Sequence, residues 1–277
     1  MTSYKKGFVG FWLMFLFGQI SFAQNMALDS LVRLRADSLF RVWRDSVQQA
    51  NTPKIQNTAP KTFKYSLALD GNFSEGNVQR ILFITRAELS WKNKIMDITT
   101  HPRFVYGKQN GDLAERDGFT DLYVNVLHQK KVYGFGLGTA ENSRLRDINS
   151  RIMGGAGIGF HLLRTDRNTF SVTNGIVYET THFKERADVE TFRNSLRIKG
   201  LHKIGSGKFR FKHLSFFQPS LQYAQNLRWS TQMSLEILLH KQLAFRTSFE
   251  NYYESVIETG RQRNDLRWSV GLSFFSL

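Results

Sequence analysis

The chain has 277 residues, no cysteine, 24 phenylalanines and a formal charge of +15, with a mean hydropathy of −0.35. That hydropathy excludes a bundle of membrane helices, and the missing cysteine excludes both a disulfide scaffold and a cysteine-ligated metal site. The length allows one large domain or two small ones, and the basic balance points to nucleic acid, anionic lipid or an anionic solute as partner.

The N-terminus carries Lys5 and Lys6, then an apolar run from Gly7 to Phe22, with Ser21-Phe22-Ala23 ahead of Gln24. A basic start, a short apolar core and small residues at −3 and −1 predict a secretory signal peptide over residues 1–23, cleaved after Ala23. The apolar run is shorter than the roughly 20 residues of a spanning helix. Export makes nucleic acid the weakest of the three partners, and the sequence carries no nucleic-acid motif.

From Met26 to Ala50, Leu28, Leu31, Val32, Leu39, Val42, Trp43 and Val47 recur at spacings of three and four, the mark of a short amphipathic helix. In an exported protein it would lie in the periplasm, plugging a barrel, resting on a leaflet, self-associating, or simply docking by one face. Two prolines and several amides from residue 51 to 62 read as a linker, so residues 24–62 form a periplasmic helix and linker.

From residue 63 to 277 the period changes to two, in about twelve runs. Phe63, Tyr65, Leu67 and Leu69 alternate with Lys64, Ser66, Ala68 and Asp70. Tyr133, Phe135 and Leu137 alternate with Gly134, Gly136 and Gly138; Ile152, Ala156, Ile158 and Phe160 alternate with Arg151, Gly155, Gly157 and Gly159. Trp268, Val270, Leu272 and Phe274 alternate with Arg267, Ser269, Gly271 and Ser273. The bulky apolar face would meet lipid in a membrane barrel, or form the core of a soluble sandwich or a periplasmic barrel. Link lengths favour the membrane. Short links (Lys92 to Lys94, Gln129 to Lys131, Thr165 to Asn168, Ile204 to Lys208, His240 to Gln242) alternate with longer polar ones (Gly107 to Gly118, Ala140 to Ser150, Phe183 to Glu190, Val256 to Asp265). That sorting predicts an all-β, antiparallel up-and-down transmembrane barrel of about 12 strands, with short periplasmic turns and longer outer loops. Trp91, Phe104, Tyr106, Tyr178, Trp229 and Trp268 fall near strand ends, as interface girdles do.

Two stretches carry a family resemblance. Gly71 to Asn77 is similar to the first hairpin, and Arg151 to Phe160 to the Gly-alternating sixth strand, of a bacterial outer-membrane β-barrel family of unknown function that includes the salt-induced outer membrane proteins. The resemblance spans roughly Phe63 to Leu277. It implies location in the outer membrane, contact with outer-membrane lipid and with the barrel assembly machinery, and no assigned catalytic residue. Such barrels commonly end in an aromatic residue; here Phe274 and Phe275 stop short of Leu277.

The inward parity is rich in charge. Arg86, Arg103, Arg151, Arg193, Arg197, Lys199, Arg246 and Arg267 point in, with Lys64; so do Glu179, Asp70, Glu88, Asp97, Asp121, Glu236 and Glu250. Such a lumen could bind or pass small, anionic solutes, or it could be a closed, salt-bridged interior with an envelope structural role. Arg193, Arg197 and Lys199 stack at spacing two on one strand with no acid between them, and Glu179 on the preceding strand is their nearest candidate partner. A lipid hydrolase is the alternative: His213-Leu214-Ser215 puts His213 and Ser215 on one strand face, where the imidazole could serve the hydroxyl as base. No third member is evident, and the pair lies close to a periplasmic turn. The seven histidines show no metal-ligand spacing, and the Gly-rich stretch opens no helix; neither a metal nor another cofactor is expected.

Overall fold

In a computed structural model, residues 62–76 and 79–276 are described. The signal peptide, the amphipathic helix, all but the last residue of the linker and Leu277 lie outside the described residues. The remainder is all strand and turn: β1 (Thr62–Ser74), β2 (Arg80–Lys92), β3 (Met96–Thr100), β4 (Arg103–Gln109), β5 (Asp112–Val126), β6 (Val132–Ser143), β7 (Ile148–Arg164), β8 (Asn168–Phe183), β9 (Val189–Ile204), β10 (Phe209–Pro219), β11 (Leu227–His240), β12 (Leu243–Glu254) and β13 (Asn264–Phe275).

Each strand pairs antiparallel with its sequence neighbour, and β1 pairs with both β2 and β13. The sheet is therefore closed. β3 and β4 both lie between β2 and β5, so they are one strand broken at His101-Pro102, where proline offers no amide hydrogen to the ladder. Thirteen segments make twelve barrel strands.

Faces follow the pleat, but the usual sense of burial is reversed. Trp268, Leu266 and Ile152 are 68%, 66% and 62% exposed, whereas Glu179, Glu236 and Arg151 are 1%, 1% and 3% exposed. An apolar exterior around a charged interior is the transmembrane β-barrel arrangement, and in it the chain is an outer-membrane barrel. The girdle rings pair across strands: Trp229 stacks on Tyr253 with centroids 6.1 Å apart.

Two expectations change. The links Gly107 to Gly118 and Ala140 to Ser150 are mostly strand. β4 turns into β5 through Asn110-Gly111 alone, both at positive φ (52° and 88°), the geometry of a two-residue hairpin turn that Asn-Gly favours. Only residues 220–226 and 255–263 form longer links at the end opposite the termini. The reason is that strands run past the lipid belt, where outward residues such as Arg116 and Thr120 are polar and the apolar alternation fades.

The second change concerns β6. Tyr133 and Phe135 are 7% and 6% exposed and face inward, and Gly134, Gly136 and Gly138 face out. The rings lie on the inward glycines of β7. A Cβ on Gly157 would stand 2.8 Å from the Phe135 ring, and one on Gly159 would collide with Tyr133. The glycine alternation is thus a bed for aromatic rings. Gly159→Leu should lower stability by about 1–3 kcal/mol through overpacking, read as a shift in the urea midpoint of the folded, heat-modifiable form. Tyr133→Ser in the same chain should recover part of that loss.

Candidate functional site

The interior is the site, and the twelve strands deliver its side chains from every direction. Of the residues anticipated in the lumen, Arg86, Arg103, Lys199 and Arg246 line an interior chamber, Arg151, Glu179, Arg193 and Arg197 are buried, and Arg267 pairs with Glu115. At the end opposite the termini they meet partners that the alternation did not reveal. Glu179 on β8 accepts from Arg193 Nε at 2.8 Å and from Arg228 Nη2 at 2.8 Å, with Arg151 at 3.7 Å. Glu254 on β12 takes both nitrogens of the Arg151 fork, at 2.7 and 2.8 Å, and Arg146 at 3.1 Å. Glu141 closes the group, accepting from Arg151 at 3.1 Å and from Arg146. β7 and β12 are five strands apart in the ring, so the Arg151–Glu254 fork crosses the barrel.

A second group lies beside it. Glu250 holds Arg86 at 2.7 Å, Arg103 at 3.4 Å and Arg267 at 3.5 Å. Asp70 pairs with Arg86, and Arg246 stands 3.9 Å from it. Glu115 pairs with Arg267 and, at 2.6 Å, with Arg80. Arg103 also donates to the Tyr252 hydroxyl at 2.7 Å.

Over these ties runs the link between β12 and β13. Arg261 donates to Asp147 at 2.6 Å, the backbone N–H of Arg186 to Glu258 at 3.0 Å, and the Arg186 guanidinium to the Ile257 carbonyl at 2.8 Å. Residues 255–263 are thereby stapled to the turns after β6 and β8.

Toward the other end the interior opens into a chamber of about 320 Å³. Arg151 and Glu254 line it at one end; Lys199, Lys212, Glu88 and Ser66 line it at the other. The three cations of β9 part company here. Arg193 is committed to Glu179, as expected. Arg197 lies with its guanidinium 4.2 Å from the Tyr123 ring centroid and 5.6 Å from that of Phe216, contacts of the cation–π kind. It has no carboxylate in ion-pair range among the described residues. Lys199, exposed to the chamber, has none either.

His213 and Ser215 share the outward face of β10, but they turn to opposite neighbours. His213 Nε2 lies 3.3 Å from His202 Nε2 on β9, and Ser215 Oγ lies 3.1 Å from Thr231 Oγ1 on β11. Neither contact resembles a base holding a nucleophile. Among the described residues, no three or more histidine or acidic side chains are grouped to hold a metal ion.

The residues that the alternation missed had a signal. Arg228 and Glu254 continue the inward parity one or two positions past the apolar runs. Glu115, Glu141 and Arg146 lay in stretches assigned to loops. Glu254→Gln should test the crossing tie. It strips the bidentate partner from buried Arg151 yet leaves Glu141, so the loss should reach no more than about 3 kcal/mol, the low end for breaking a buried pair. Urea titration measures it, and the double change Arg151→Met, Glu254→Leu should lose less than the single one.

A family profile described as "Protein of unknown function, DUF481" matches residues 69–274. Similar solved structures include a porin named NanC, at 12% identity, 76% coverage of this chain, 100% of that chain and a TM-score of 0.49. The KdgM porin in complex with disordered oligogalacturonate is similar at 8% identity, with 76% and 99% coverage and a TM-score of 0.42. An anion-selective porin from Comamonas acidovorans is similar at 8% identity, with 78% and 99% coverage and a TM-score of 0.37. No curated protein matches.

Proposed function

Because this chain belongs to the family described as "Protein of unknown function, DUF481", whose description names no activity, we propose from its interior that the barrel binds or passively passes small solutes, with a bias toward anions. One observation supports this most: Arg197 and Lys199 face the interior without a carboxylate partner among the described residues, while Arg193 beside them and most interior arginines are paired. Net positive potential at a narrow, low-dielectric chamber favours anions. The bias is modest, because most interior charge is neutralised pairwise. Export through a signal peptide cleaved after Ala23, and delivery by the barrel assembly machinery, complete the proposal; the role is binding or diffusion rather than catalysis.

The barrel refolded into a planar bilayer under a salt gradient should show an anion-side reversal potential, and Lys199→Glu should move it toward the cation side. A cation preference in the unmutated barrel overturns the reading.

The hydrolase alternative rests on His213 and Ser215 sharing a face, and their separate partners weigh against it. Ser215→Ala should leave any lipid hydrolysis by the purified barrel unchanged. Loss of a measurable activity on that one change would reinstate the alternative.

A further inference from the structure

Nearly every charged side chain lining the chamber has a partner. Glu141, Glu250 and Glu254 are held by arginines. Glu236 is held by Lys212 at 3.0 Å. Asp121 accepts from the His101 backbone N–H at 2.7 Å, with His101 Nδ1 at 2.8 Å. Arg86, Arg103, Arg146, Arg151, Arg228 and Arg246 each reach a carboxylate within 4 Å.

Among the described residues, two lining charges have no such partner, and they are opposite in sign: Glu88 on β2 and Lys199 on β9. Their strands are six apart in a ring of twelve, the greatest separation the barrel allows. Each feels the other's charge, Glu88 alongside Lys212, His101 and Lys92, and Lys199 alongside Arg197, Lys92 and Asp97. They face each other across the chamber and do not touch. A cation and an anion held apart in an enclosed interior forgo the direct contact that best offsets the desolvation of a buried charge. The neighbouring strands offer both arginines and carboxylates, so pairing each locally was open to this fold.

We propose that the chamber holds a small zwitterion, its anionic end on Lys199 and its cationic end on Glu88. The proposal rests on the solute-binding reading above and narrows it: the anion also carries a positive end. A molecule bridging the gap completes both charges at once, which neither a plain anion nor a plain cation does. A volume of about 320 Å³ is at the small end of ligand cavities, consistent with a single compact solute.

Calorimetry on the full barrel in a non-ionic detergent tests this with ω-aminocarboxylates of increasing length. Each is compared with the carboxylate lacking the amine and the amine lacking the carboxylate. At one chain length the aminocarboxylate should bind at least about tenfold more tightly than either analogue, a difference of about 1.4 kcal/mol. Glu88→Gln should erase that advantage and spare the carboxylate's affinity; Lys199→Gln should abolish carboxylate binding. Heat-modifiable gel mobility checks that each variant folds, and if Glu88→Gln does not, the length dependence in the unmutated barrel decides. Equal affinity for the carboxylate and the aminocarboxylate at every length overturns the zwitterion and leaves the anion bias standing. Absence of binding throughout the series overturns it too, while the reversal potential judges the broader function independently.

Discussion

A sheet surrounded by hydrocarbon has no water to satisfy an unpaired edge, so every backbone donor and acceptor must find a partner within the sheet. Pairing of β1 with β13 meets that requirement. Closure then fixes everything else. Once the ring is shut, the pleat leaves each residue two choices, lipid or interior, and a side chain's parity decides its environment. The charges of β9 are inside because Phe192, Leu196 and Ile198 are outside.

An interior built this way has an energetic problem that a soluble core does not. Burying a guanidinium or carboxylate alone costs several kcal/mol, and a single opposing charge rarely restores it in full. Shared coordination answers this. Glu179, Glu250 and Glu254 each serve two or more arginines, and Arg151 reaches three carboxylates. The result is a lattice tied across the barrel rather than a wall of separate pairs. It also divides the interior, leaving the chamber on one side and the stapled link 255–263 on the other. Function in this fold is therefore confined to the part of the lumen that the lattice does not fill.

Much of this was legible from period-two alternation. It located the strands, gave their number, and identified the charged face as the interior one. It failed where its physical basis fails. Outside the lipid belt the outward residues need not be apolar, so β4, β5, β6 and β7 were read short; Glu115 and Glu141 were lost with them, and Arg146 with the turn between β6 and β7. It also misread β6, where the stretch Tyr133 to Gly138 has no charge on either face and glycine allows either sense. Only the neighbouring β7 resolves that ambiguity, because Gly157 and Gly159 provide room for rings inside. Which charges pair across the barrel was beyond the sequence: Arg151 and Glu254 are 103 positions apart, and their meeting depends on the barrel's cross-section. The Arg193–Glu179 pair, on adjacent strands, was within reach.

The seam has a temporal consequence. Ser66 pairs with Phe275, so the ladder that closes the ring joins the first strand of the barrel to the last. No intermediate length of chain can substitute for it. A barrel of this connectivity has two bare edges until its final strand arrives, and the entropy of bringing those edges together is met in one late step. Until then the open sheet is the form most exposed to pairing with a stranger. The ring is thus all-or-none in assembly as well as in structure, and the moment of greatest hazard comes just before closure.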